Sequence, residues 1–167
     1  LWSSLSPQVT GWMAHARPFA FEAGPIAYAE DATRFLHGSP SIPALYAARA
    51  GYELVTTAGL PAIRAKSLRQ GQLVWELALE RGLRPHAPPD PQQRSAMLIL
   101  EVPHGEAVTR ELLRREIVVD YRPGAGIRVS PHFYTSDDEL RHCLDQIREI
   151  LDGGVWRDHE AAGGAGF

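Results

Sequence analysis

The chain has 167 residues and a net charge of −3, and Lys66 is its single lysine among 17 basic residues. This length allows one large domain, or one and a half, with a substantial hydrophobic core. Without a basic patch the chain is not expected to bind nucleic acid. No apolar run approaches the length of a membrane span, so we expect no membrane partner and a cytoplasmic protein.

Residues 1 to about 40 are rich in glycine, proline and aromatic residues and show no sustained helical period. Such a composition predicts loops and short strands that lie against another surface. The chain also begins without methionine, in sequence typical of the middle of a domain. We therefore expect it to be a piece of a longer protein.

Two helices are predicted in the next stretch. The first runs from Ser41 to Ala50, where a serine can cap the start and Gly51 supplies a stop. The second runs from Pro61 to Arg81, because good helix formers dominate this stretch and Gly82 ends it. The proline cluster RPHAPPDP follows and predicts a boundary linker.

The remaining elements alternate between strands and helices. Met97–Val102 is nearly all apolar and predicts a strand buried on both faces. Residues 105–116 predict a charged helix with Val108, Leu112 and Leu113 facing inward. Two further strands, Ile117–Asp120 and Gly126–Ser130, are joined by a Pro123-Gly124 turn. This order describes a small α/β layer domain.

A last helix is predicted from a capping box formed by Ser136 and Glu139. Its apolar residues recur at helical spacing: Leu140, Cys143, Leu144, Ile147, Ile150 and Leu151. The lone Cys143 excludes an internal disulfide and is expected to be a small buried hydrophobic residue. After Gly153 the tail contains little that would fold.

One arginine stands out as a candidate ligand for a carboxylate. Arg128 lies between Ile127 and Val129 in a short strand, so it points away from any core that those two enter. Its guanidinium matches both oxygens of an α-carboxyl group. Spacing alone, however, favours a solvated or structurally paired arginine over a carboxylate ligand.

A second candidate site precedes the first helix. Gly38 and Ser39 come just before it, so a hydroxyl and free amide groups can bind an anion there. An ordinary N-terminal turn is the alternative. Trp12 offers an indole N–H on an aromatic plate, which suits a phosphate or a ring, although a core tryptophan is the alternative.

Other chemistries lack support in the sequence. The histidines show no metal-ligand spacing, and no nucleophile with an adjacent base, phosphate-binding loop or dinucleotide fingerprint is present. Lys66 is expected on a helix surface. His132, Phe133 and Tyr134 follow the Arg128 strand and either line the same cleft or pack on the core.

Three motifs together resemble the C-terminal part of kynureninase in order and spacing. They are GWMAHARPFAFE (Gly11–Glu22), RFLHGSP (Arg34–Pro40) and VVDYRPGAGIRVSPHFY (Val118–Tyr134). That family belongs to the class V, fold type I branch of pyridoxal phosphate (PLP) enzymes. The resemblance extends from Gly11 to Leu151, and the SPHFYTSDDE ending is also similar to class V aminotransferases and epimerases.

The resemblance implies a fold and its parts. The fold class is α/β, the C-terminal part of a fold type I PLP enzyme. Residues 1–60 would be a remnant of the large PLP-binding domain and 61–84 a long connecting helix. Residues 85–152 would form the small C-terminal α/β domain, and 153–167 a flexible tail.

The resemblance also implies roles for individual residues. Trp12 and Ser39, with Gly38 beside it, correspond to residues that bind the phosphate of pyridoxal 5'-phosphate. Serine replaces the commoner threonine and keeps the hydroxyl. In the family this residue reaches a partner subunit's site, which implies a homodimer with a shared active site. Arg128 corresponds to the arginine that holds the α-carboxylate of the amino-acid substrate.

The family's Schiff-base lysine and the aspartate that pairs with the pyridinium nitrogen correspond to sequence before Leu1. We therefore expect no catalytic residue in this segment and no activity from it alone. Three hypotheses follow. The complete protein hydrolyses the Cβ–Cγ bond of L-kynurenine-type substrates to alanine and an aromatic acid, or it is a class V aminotransferase or lyase. Alternatively, the chain is a non-catalytic dimerisation fragment.

Overall fold

A computed structural model describes residues 5–160 of the chain. Two units are distinguished, Leu1–Thr57 and Ala58–Phe167. Their assignment to parts of a large and a small domain stays a prediction. Within the described residues, no helix is long and apolar enough to cross a membrane.

The first unit has almost no core of its own. It contains three short 3-10 helices, Trp12–Ala14, Pro18–Ala20 and Ala32–Phe35, where the sequence predicts loops and short strands. A single β-bridge joins His15 and Tyr28. Among the described residues of this unit, Ala14 is the only hydrophobic side chain that is buried.

Helix α1 (Ile42–Ala58) is longer than predicted, and all its residues but the half-buried Val55 are exposed. It passes through Gly51, where the sequence suggested a stop, and ends before Gly59, whose φ is +81°. An interior glycine costs only about 1 kcal/mol relative to alanine, which the flanking helix formers offset. None of its residues is buried. Its exposed apolar side chains are Ile42, Leu45, Tyr46, Tyr52 and Leu54.

Helix α2 (Leu60–Glu80) confirms the second predicted helix. Its last turn ends at Gly82 with φ +67°, and the amide of Leu83 donates to Ala78 O at 2.8 Å. The proline cluster that follows is not simply a linker, because Arg84–His86 forms strand β1. Proline is tolerated there because β1 is an edge strand.

The buried Arg94 holds the rest of that proline cluster against α2. Its Nε donates to Pro88 O at 2.7 Å and its Nη2 to Pro89 O at 2.6 Å. The guanidinium also lies over the ring of Trp75 at 4.0 Å. Hydrogen bonds to carbonyl oxygens thus offset the cost of burying this charge.

Strands β2 (Leu98–Glu101), β3 (Asp120–Arg122) and β4 (Gly126–Val129) complete an antiparallel sheet in the order β1-β2-β4-β3. The prediction that β2 is buried on both faces is wrong, because Ile99 is half-buried and Glu101 exposed. One face joins a core with α2, α3 and α4. Its sheet residues are Leu98, Leu100, Ile127 and Val129.

Two glycine residues set the geometry of the β3–β4 hairpin and of its contact with the neighbouring strand β2. Gly126 has φ +130°, and a Cβ there would lie 2.2 Å from Leu100 O, so only glycine permits this approach of β4 to β2. The turn includes Gly124, and pairing starts at Arg122 opposite Gly126. Strand β3 therefore lies later than the predicted Ile117–Asp120.

Helix α3 (Gly105–Arg114) buries Val108 and Leu112, but Leu113 is 39% exposed and its predicted inward orientation is wrong. Helix α4 (Asp137–Gly153) begins at the predicted capping box. Its predicted inward residues are buried, except Leu151, which is half-buried. Burial raises the pKa of Cys143 to about 11, so this thiol is a packing group.

The segment predicted as a flexible tail from residue 153 instead begins with a short helix, α5 (Arg157–Glu160). Val155 is half-buried, and Trp156 stacks on His104 at 3.5 Å between ring centroids. These tertiary contacts order the segment although its composition does not suggest it. Residues 161–167 lie outside the described residues.

Glu111 of α3 is a buried carboxylate that binds this segment to the core. It accepts hydrogen bonds from Arg114 and Arg115, and its Oε2 lies 2.9 Å from His159 Nε2. The bonds from Arg114 above all hold the pKa of Glu111 well below its usual range.

Glu111→Gln is expected to lower the free energy of unfolding by about 2–4 kcal/mol at pH 7, because Arg114 and Arg115 lose the buried carboxylate with which they pair. Urea denaturation measures this change. The pKa of Glu111 is lowered on folding, so the advantage over the variant is complete above the unfolded pKa and shrinks as pH falls below it. Glu149→Gln, at the exposed end of the network, is the control and is expected to cost less than about 1 kcal/mol.

Candidate functional site

The two motifs expected to bind phosphate meet within the first unit. A methyl group added to Gly11 would lie 1.3 Å from the carbonyl oxygen of His37. The backbone beside Trp12 therefore lies directly against the loop that carries Gly38 and Ser39. Glycine at position 11 is what allows this contact.

Trp12 presents its ring to solvent. It is 46% exposed, contacts Phe19 edge-on at 5.4 Å between centroids, and borders a cleft of about 410 Å³. Its indole N–H donates no hydrogen bond within residues 5–160, so it is available to a ligand. Trp12 is therefore not a core tryptophan, which was the alternative suggested by the sequence.

The rest of the first motif is held together by its own polar groups. His15 Nδ1 accepts a hydrogen bond from the amide of Arg17 at 2.9 Å, and its Nε2 lies 3.7 Å from Glu22. Arg17 also pairs with Glu22. These contacts fold the segment after Trp12 back on itself and explain the spacing of charged residues in the motif.

Ser39 is exposed and lies three residues before Ile42, the first residue of α1. The first intrahelical bond runs from Leu45 N to Ser41 O, so the amide of Ala44 precedes the first helical hydrogen bond. A hydroxyl and amides near the positive end of a helix are suited to an anion.

Arg128 lies in the second unit, on the open face of the sheet. Its neighbours Ile127 and Val129 are buried, whereas its own side chain is 37% exposed, as alternation along β4 predicts. It makes a bidentate ion pair: Nε donates to Asp120 Oδ1 at 2.8 Å and Nη2 to Oδ2 at 2.6 Å. Arg128 is therefore paired but not buried.

The open face carries further charged residues that were not predicted from the sequence. Arg122 Nη2 lies 2.8 Å from Asp120 Oδ2, so two guanidinium groups share one carboxylate. Near the β1 edge of the sheet, Glu101 Oε2 lies 3.1 Å from His86 Nε2. The position of the turn in the sequence could have indicated this ion pair. If the strands pair outward from the turn, beginning with Arg122 opposite Gly126, Asp120 lies opposite Arg128.

The aromatic loop, residues 131–135, follows β4. The His132 ring lies 4.6 Å from Phe133 and 4.3 Å from Tyr134, centroid to centroid. Lys66 donates to Phe133 O at 2.7 Å and is partly buried, which corrects the expectation of a surface lysine. Within the described residues, no cluster of histidine, cysteine or acidic side chains could hold a metal ion.

The loop is also held by α2 at its far end. The buried Gln70 donates to Thr135 O at 2.8 Å and to Asp137 Oδ1 at 3.0 Å. The hydrogen bond from Arg69 lowers the pKa of Asp137 to about 2. These contacts give the residues after Arg128 a defined conformation.

Sequence comparison identifies relatives of the chain. A kynureninase of Burkholderia mallei (strain SAVP1) is 29% identical over 161 residues, which cover 92% of this chain and 38% of that protein. The uncharacterized aminotransferase YcbU of Bacillus subtilis (strain 168) is 31% identical over 144 residues, covering 86% and 37%. The chain thus spans less than half the length of these relatives.

Structural comparison agrees on the fold. A cysteine desulfurase from Thermococcus onnurineus NA1 matches with a TM-score of 0.73 at 20% identity, over 91% of this chain and 41% of that one. The chain therefore has the mixed α/β fold of the C-terminal part of fold type I PLP enzymes. The profile of the kynureninase C-terminal domain matches residues 63–147. By this match, which covers half of its residues, the chain belongs to the kynureninase C-terminal domain family.

Proposed function

We propose that the chain is the C-terminal part of a PLP-dependent hydrolase that cleaves the Cβ–Cγ bond of L-kynurenine-type amino acids. The products would be alanine and an aromatic acid. The observation that carries the proposal is the partly exposed guanidinium of Arg128 in a chain of the kynureninase family. Because the chain covers 38% of its kynureninase relative, the activity is proposed for the complete protein.

The residues present fit the phosphate of PLP. Gly11 lets the loop with Gly38 and Ser39 lie against the backbone of Trp12, and a side chain there would push the two apart. In this proposal the indole N–H, the Ser39 hydroxyl and the free amides in the first turn of α1 would hold the phosphate. When bound, PLP supplies the electron sink for the bond cleavage.

Arg128 has a positioning role in this mechanism. Its guanidinium pairs with the substrate α-carboxylate and fixes the rotation of the substrate about its Cα bonds. The strand backbone holds the arginine better than a loop would. No proton transfer is assigned to any residue of this chain. Its residues bind and orient, and we propose that a homodimer with a shared site completes the centre.

The second candidate function is a class V aminotransferase or lyase that acts on another amino acid. The identity of 31% to YcbU favours it. The complete enzyme, supplied with PLP, is incubated with kynurenine and with other amino acids, and the products are separated. Anthranilate with alanine supports the hydrolase, whereas a keto acid without anthranilate supports the aminotransferase.

Arg128→Ala in the complete enzyme is expected to raise KM and to lower kcat/KM by a factor equivalent to about 2–4 kcal/mol, through the lost carboxylate pair. Steady-state kinetics with kynurenine measure both constants. Arg84→Ala is the matched control, since Arg84 is an exposed arginine of the same sheet that pairs with Glu101. If kcat/KM is unchanged in Arg128→Ala, this arginine does not bind the substrate.

Gly11→Ala is expected to weaken PLP binding by at least about tenfold, because the added methyl group displaces the loop with Ser39. Titration of the apoenzyme with PLP, followed by tryptophan fluorescence, measures the affinity. Gly51→Ala is the control, because a Cβ there meets no atom within 4 Å. Equal PLP affinity in Gly11→Ala and the unaltered enzyme would contradict the assignment of this loop.

A further inference from the structure

Asp120 lies directly opposite Arg128 in the β3–β4 hairpin. Its two carboxylate oxygens accept from Nε and from Nη2, which is the side edge of the guanidinium. Both residues are on strands, so the ladder fixes the distance between their Cα atoms. The pair therefore holds the plane of the guanidinium in one orientation.

This pairing leaves the end of the guanidinium available. Nη1 donates no hydrogen bond within residues 5–160, and Nη2 has a second N–H beyond the one given to Asp120. These groups form the end edge, which matches the two oxygens of a carboxylate in a second bidentate pair. A single arginine can thus bind Asp120 and a ligand at the same time.

The local charge favours an anionic ligand despite the aspartate. Arg122 and Arg128 carry two positive charges against the one negative charge of Asp120, to which both are bonded. The cluster retains an excess of positive charge. Asp120 therefore orients its partner without neutralising the site.

We propose that Asp120 is a positioning residue, which directs the end edge of Arg128 toward the α-carboxylate of the substrate. The proposal rests on the carboxylate-binding role of Arg128 in the proposed function. The side chains of Asp120 and Arg128 are each 37% exposed, and ion pairs this exposed contribute little to stability. The pair is therefore expected to matter more for ligand orientation than for the fold.

A double-mutant cycle in the complete enzyme tests the proposal. Asp120→Asn is expected to lower kcat/KM by about tenfold, mainly through KM, because the arginine loses its fixed orientation. In the Arg128→Ala background the same substitution is expected to change kcat/KM by less than about twofold, since Asp120 acts through Arg128. Asp120→Glu, which keeps the charge, is expected to recover part of the loss.

A binding measurement separates orientation from a general structural effect. The dissociation constants of the substrate and of its decarboxylated amine are measured by fluorescence titration. Asp120→Asn is expected to weaken binding of the acid and to leave that of the amine unchanged. Asp152→Asn is the matched control, because Asp152 accepts a similar two-nitrogen pair from Arg148 on α4. It should change neither constant.

The outcomes distinguish the two proposals. If Arg128→Ala leaves kcat/KM unchanged, the carboxylate role of Arg128 fails, and the inference about Asp120 fails with it. If Arg128→Ala lowers kcat/KM but Asp120→Asn does not, the positioning role alone is overturned. The positioning role is also overturned if Asp120→Asn lowers kcat/KM equally in the presence and absence of Arg128. The same holds if Asp120→Asn weakens binding of the substrate and of its decarboxylated amine equally.

Discussion

The alternation of side chains along β4 determines where Arg128 points. Ile127 and Val129 enter the core beneath the helices, and burial of each such side chain contributes on the order of 1.5–3 kcal/mol. A shift of register by one residue would expose both and force the guanidinium into the core. Hydrophobic packing on one face of the sheet thus maintains the charged arrangement on the other face.

The elements with strong local signals were predictable from the sequence. The capping box at Ser136 and the good helix formers of α2 led to two helices that the structure confirms. The elements that were not predicted correctly depend on their neighbours in the chain or in the sheet. Helix α1 continues through Gly51, whose modest cost its neighbours offset. Strand β1 contains Pro85, which only an edge position permits, and no local pattern reveals that position.

The candidate site was predictable only in part. Alternation along β4 predicts the orientation of Arg128. It does not indicate the partner Asp120, because the sequence predicts β3 at Ile117–Asp120, whereas the strand that pairs with β4 is Asp120–Arg122. The contact of Lys66 with Phe133 O joins residues distant in sequence, so helical spacing alone could not indicate it. Periodicity within a helix or strand does not reveal which other elements that helix or strand contacts.

Helix α1 has seventeen residues and no buried side chain. Most helices in proteins derive their stability from a packed apolar face rather than from the helix propensity of their residues. The formation of α1 therefore depends on backbone propensity until another surface covers Tyr46, Tyr52 and their apolar neighbours. Ordering of this helix and association with that surface would then be a single coupled equilibrium, in which any partner that binds α1 also completes its folding.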